Sequence, residues 1–149
     1  MAKSASRPRA ALTDDDYERL AAFRHAVRQF LHFSESVASG VGLTGQQYQA
    51  MLAIRSMNGR GQVTINDLAR QLLIRHNSAV GLVDRLVAQG LMIRERVPED
   101  RRKARLKLSP KGEQLLGRLA SVHRVKLNRI GPDIHRILSE LAGAWRRER

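Results

Sequence analysis

At Leu91 the hydrophobic period of this chain changes, from the three-and-four spacing of helices to the alternation of strands. Before that point, "QVTINDLARQLLI" reads as a short extended piece, then Thr64 as a helix cap and an apolar set of Ile65, Leu68, Ala69 and Leu72. A brief turn near Ile74–His76 leads into "NSAVGLVDRLVAQ". There Ala79, Leu82, Val83 and Leu86 fall at i, i+3, i+4 and i+7, and Gly90 supplies the stop. After it, "LMIRERV" and "KARLKLS" read as the arms of a two-stranded hairpin around a Pro98–Arg102 tip. In the second arm Ala104, Leu106 and Leu108 share one face, while Lys103, Arg105 and Lys107 share the other. In the first arm Met92, Arg94 and Arg96 share a face. The chain is thus expected to be mostly α with a small β-hairpin, two short helices and a turn preceding the strands.

Longer helices flank this unit. Residues 1–12 carry Lys3, Arg7 and Arg9 without periodicity and read as a disordered basic arm. Thr13 can cap a first helix whose positive end receives Asp14, Asp15 and Asp16. Its apolar stripe of Leu20, Phe23, Val27, Phe30 and Val37 runs to about Ala38 and stops at "SGVG". "TGQQ" at 44–47 has a capping-box pattern and opens a second helix through about Met57. Ser109-Pro110 starts another helix bearing Leu116, Leu119, Leu127 and Ile130. "GPD" at 131–133 is expected to break it from a last helix with Ile134, Ile137, Leu138, Leu141, Ala142 and Trp145 on one stripe. The expected organisation is an arm over 1–12, a long helix in 13–43, the helix-turn-helix and hairpin in 44–111, and C-terminal helices in 112–149.

Charge narrows the partner class. Lys and Arg number 27 against 14 Asp and Glu, a formal net charge of +13. Such an excess draws polyanions and makes nucleic acid the favoured partner. Residues 75–111 alone hold ten Lys or Arg against four acids. If about six phosphates are neutralised, the slope of log K against log salt is roughly −5. No apolar run approaches a membrane span, and "MAKSASRPRA" has no apolar stretch behind it, so no membrane partner and a cytoplasmic location are expected. There is no cysteine, which excludes disulfides, thiolate zinc sites and cysteine-based redox sensing.

Catalytic and metal chemistry find little support. His25 and His32 are seven apart on the first helix but lack a carboxylate partner at ligand spacing. His123 lies on the Leu116, Leu119, Leu127 stripe, where a satisfied interface histidine outweighs a ligand. Trp145, on its own apolar stripe, reads as a core or dimer contact. His76, Ser78 and Asp84 fall within one short helix, where triad geometry is not expected. No enzyme, cofactor or metal is expected. The face of that helix opposite its apolar set carries Asn77, Ser78, Gly81 and Arg85, with Arg75 and His76 at its N-terminal edge. The Asn, Ser, His and Arg side chains among these can hydrogen-bond base edges or phosphates in a major groove.

The segment "LARQLLIRHNSAVGLVDRLVAQGLMIRERVPEDRRKARLKLSPKG", residues 68–112, resembles the DNA-binding core of the multiple antibiotic resistance regulator (MarR) family. The resemblance rests on "LVDRL…GL", on "DRR" at 100–102 and on "LSPKG" at 108–112, where Ser109 stands for the usual Thr. It implies a winged helix-turn-helix with long N- and C-terminal dimerisation helices, in a homodimer on a pseudo-palindromic operator. It implies a transcription regulator of the repressor kind, released by a small-molecule effector. Arg101, Arg102, Lys103 and Arg105 would serve in the wing, with Arg102 in a minor groove and Asp100 bracing the tip, turn chemistry being the other reading of Asp100. Gly81 departs from the pattern by removing a side chain from the expected DNA-facing side. The effector pocket would be walled by Phe30, Phe33 and Tyr48, core packing being the other reading of those residues. A sequence-tolerant architectural or nucleoid DNA-binding protein is the alternative that the charge allows.

Overall fold

The computed structural model describes residues 11–97 and 100–146, with side chains for all of these except 97, 100–103 and 145. The N-terminal arm over residues 1–10, the centre of the hairpin turn and the side chain of Trp145 lie outside the described residues. The elements are α1 (Asp14–Ser39), α2 (Gly45–Asn58), α3 (Ile65–Leu72), α4 (His76–Ala88), β1 (Met92–Val97), β2 (Asp100–Leu108) and α5 (Pro110–Arg146). Residues 31–125 form one compact unit; α1 up to Phe30 and α5 from Lys126 belong to a second.

Capping side chains set several of these starts. Thr44 Oγ1 accepts from Gln47 N–H at 3.0 Å, and Gln47 Oε1 accepts from Thr44 N–H at 2.9 Å, the reciprocal box expected from "TGQQ". Thr64 and Asp67 build the same box at the start of α3. The Thr64 backbone N–H holds the Asp67 carboxyl below the usual carboxylate range; Arg70 adds to this, and partial burial works against it. Thr13 and Asp16 exchange equivalent bonds at the start of α1.

The 31–125 unit is built around Met51 and Ile54 of α2, Leu68 of α3, Leu82, Val83 and Leu86 of α4, Leu106 of β2 and Leu116 and Leu119 of α5. All are nearly or fully removed from water, the burial that stabilises so small a unit. The hairpin pairs antiparallel, with Met92 opposite Leu108, Arg94 opposite Leu106 and Arg96 opposite Ala104. This register gives the hairpin one apolar-rooted face, as the alternation implied. Val63, in the extended piece before α3, accepts one bond from Leu106 N–H at 2.8 Å and ties β2 to the helices.

Two expectations are corrected. β2 begins at Asp100, so Arg101 and Arg102 belong to a strand and not to the turn. The ladder shifts between Arg96 and Val97, and this irregularity lets β2 run three residues longer than β1. The second correction concerns "GPD": α5 continues through Pro132 without a break. Proline crowds the Cβ of the residue before it, and Gly131 has none. The stripe from Leu127 to Leu141 keeps helical period across the site, so only one backbone bond is lost.

Candidate nucleic-acid interface

Helix α4 shows its two faces clearly. Ala79, Leu82, Val83 and Leu86 are at most 3% exposed, whereas His76, Asn77, Ser78, Asp84 and Arg85 are exposed. Its N-cap, Arg75, is extended and exposed and makes no side-chain cap bond, so α4 starts without the box that opens α2 and α3. Such a helix start attracts anions. His76 Nδ1 lies 2.7 Å from Asn66 Oδ1 of α3, which fixes the imidazole at the helix edge. Gly81 is half-buried, and Arg85 folds back over it, its Nε donating to Gly81 O at 3.2 Å. A Cβ at Gly81 would meet only that guanidinium, at 3.3 Å. The glycine therefore makes room for Arg85 along the helix surface.

The hairpin is coupled to α4 by a pair that sequence reasoning did not assign. Arg94 of β1 donates to Asp84 Oδ1 at 2.6 Å, from side chains 35% and 57% exposed. The one signal in the sequence is an acid on the exposed face of a helix in a strongly basic stretch. Lys107 pairs with Glu95 across the ladder at 2.7 Å and lowers the pKa of that carboxyl. Arg105 is half-buried opposite Glu95, its Nε enclosed without a hydrogen-bond partner. Arg101, Arg102, Lys103 and Asp100 lie on β2, their side chains outside the described residues.

The base of the hairpin is a tight joint. Ser109 N–H donates to Leu91 O at 3.1 Å, and Ser109 Oγ donates to Gly90 O at 2.6 Å while accepting from Gly112 N–H at 3.0 Å. A Cβ on Gly112 would fall 2.0 Å from Leu91 O, so only glycine fits there. The "LSPKG" stretch is thereby explained physically: serine caps α5 and glycine lets two backbones touch.

The aromatic residues separate. Tyr48, 6% exposed, stacks on His123 with centroids 4.3 Å apart, and Phe33 meets the same ring edge-on at 5.6 Å. His123 is buried, Nδ1 2.6 Å from Leu119 O and Nε2 2.9 Å from Ser34 Oγ, so both ring nitrogens are satisfied within the 31–125 unit. Phe30 belongs to the other unit, where it lines a cavity of about 340 Å³ with Lys126, Ile130, Asp133, Ile134 and Ile137 among others. Among the described residues no group of three His, Asp or Glu side chains is arranged to hold a metal, and no helix is long and apolar enough to cross a membrane.

Residues 41–103 match the family model described as "MarR family". The chain is 33% identical over 79 residues to the HTH-type transcriptional regulator FarR of Neisseria gonorrhoeae, covering 53% of this chain and 52% of that protein. It spans about half the length of the curated relatives it matches. Among solved structures, AbsC, a MarR family transcriptional regulator from Streptomyces coelicolor, superposes with a TM-score of 0.74. The match is 23% identical and covers 93% of each chain. A mutant MarR from E. coli complexed with operator DNA shares the fold at a TM-score of 0.59 and 19% identity, over 88% of this chain and 86% of that one.

Proposed function

We propose that the protein, whose residues 41–103 match the MarR family model, is a homodimeric, sequence-specific DNA-binding transcription regulator. It represses by occupying a pseudo-palindromic operator and is released by a small-molecule effector. The observation that carries this reading is α4, apolar on one face and, on the other, exposing His76, Asn77, Ser78 and Arg85 beyond an uncapped start. Arg75, His76, Asn77, Ser78, Gly81 and Arg85 line the surface that enters a major groove. Arg101, Arg102, Lys103 and Arg105 follow the neighbouring backbone and minor groove, with Asp100 bracing them. On a two-fold dimer the half-sites stand about one helical turn apart. An effector acts only through its different affinity for the two dimer arrangements. At Tyr48 and Phe33 it would have to displace the stacked and edge-on contacts with His123, and at Phe30 it would enter the cavity that Phe30 lines within its own unit.

Selection of bound fragments from the source genome, against random duplex competitor, tests the proposal. A near-palindrome enriched by the wild-type chain, and lost with Asn77→Ala or Arg102→Ala, supports it. The net charge of +13 favours a second reading, a sequence-tolerant architectural binder. Tight binding with no enriched sequence would establish that reading instead.

A further inference from the structure

Leu73 carries two costs that the folded unit has no use for. Its backbone is left-handed, φ 56 and ψ 41, and it is the one non-glycine residue with positive φ among those described. Leucine has no polar group with which to compensate that conformation locally, as asparagine would. Its side chain is also 92% exposed, the most of any large hydrophobic described. Glycine at this position would close α3 with the same bonds, Leu73 N–H to Arg70 O and Ile74 N–H to Ala69 O. The side chain sits beside a shallow depression formed with Asn66, Ala69, Arg70 and Ile74, two residues ahead of the uncapped start of α4. Arg70, which lines the depression and pairs with Asp67 at 2.7 Å, is exposed, as are Arg75 and His76 just after Leu73 in sequence, with His76 Nδ1 2.7 Å from Asn66 Oδ1.

We propose that Leu73 is a DNA-contacting residue, which lays its apolar side chain on the deoxyribose wall of the groove that α4 enters. The inference rests on the DNA-binding reading above. A charged surface that meets a duplex gains phosphate contacts from its arginines but has few groups that match the carbon surface of the sugars. Leu73 supplies one, 92% exposed at the left-handed end of α3. Strain kept at such a place fits a contact made only in the complex.

The test compares Leu73→Gly, Leu73→Ala and wild type, using the duplex returned by the genomic selection. Leu73→Gly is expected to unfold at a higher temperature than wild type yet bind that duplex about five- to tenfold more weakly. Its salt slope should be unchanged, because no charge is lost. Leu73→Ala keeps the strained backbone and loses the reach; it should match the glycine variant in affinity without its gain in stability. Replacing thymine by deoxyuracil in the duplex should leave the wild-type-to-alanine ratio as it was, since the contact is to sugar. Unchanged affinity in both variants would overturn the proposal. So would loss in the glycine variant alone, which would indicate backbone stiffness, or a ratio that collapses with deoxyuracil, which would indicate a thymine methyl. If the wild-type chain binds no duplex, the DNA-binding reading itself fails.

Discussion

Helices α3 and α4 are capped in mirror fashion. Helix α3 opens on the Thr64–Asp67 box and ends at an exposed left-handed leucine; α4 opens on Arg75 with no side-chain cap and ends at a left-handed glycine under Ser109. The closing bonds are the same pair in both, since Leu91 N–H to Leu86 O and Gly90 N–H to Val87 O repeat those of Leu73 and Ile74. What differs is what covers them. At the end of α4, Ser109 Oγ takes up Gly90 O and Lys111 Nζ reaches Gln89 O at 3.3 Å. The two uncovered ends meet within residues 73–75. The difference teaches that sealed ends serve the fold, while the unsealed pair forms one continuous polar edge around a single leucine.

The sealed end is where substitutions should cost most. Gly112→Ala adds a methyl 2.0 Å from Leu91 O, and the clash outweighs alanine's better helix propensity. A net loss of about 2–3 kcal/mol is expected by urea titration; a neutral variant would show that the joint yields. Gly90→Ala meets nothing within 4 Å but must hold φ +73, so about 1–2 kcal/mol is expected from conformation alone. Leu73→Gly should move the opposite way, and a shared sign for these two would break the comparison.

At the starts, Asp67→Ala is expected to cost about 1 kcal/mol near neutral pH by loss of the box. The folded-state pKa of Asp67 is depressed, so its contribution is present above the ordinary carboxylate pKa. It is lost as pH falls through the folded value. Melting curves of wild type and variant should therefore converge in acid. Arg75→Ala should leave the free protein within about 0.5 kcal/mol at any pH, α4 having no side-chain cap to lose. The smallest effect belongs to Asp84–Arg94: a double-mutant cycle should give a coupling of about 0.2–1 kcal/mol for so exposed a pair. A larger coupling would place the pair in a drier setting than the free chain gives it.

Much of this was legible from residues alone. Thr13, Thr44, Thr64 and Ser109 mark their helix starts, Gly90 marks a stop, and the change of period at Leu91 marks the hairpin. The polar face of α4 follows from its apolar complement. The end of α3 was not marked, because leucine is no signal for a left-handed turn. Pro132 gave the wrong signal, since the Gly131 before it removes the clash that ends most helices. Asp84 and Arg94 are ten residues apart on a helix and a strand, and Gly112 meets Leu91 across the whole hairpin. Such contacts depend on a fold already formed.

The bonds at the hairpin's feet have a consequence for how this molecule can change. Leu91 and Ser109 are joined directly, and Val63 grips β2 at Leu106, so the strands beyond are a closed excursion from a fixed base. Lengthening such an excursion adds little closure entropy, about 0.6 kcal/mol for each doubling. Residues could be inserted in pairs past Arg96 and Ala104 while every inward side chain near the base kept its face. The wing is thus a part of adjustable reach, free to be refitted to a different partner surface while the helices beneath it stay as they are.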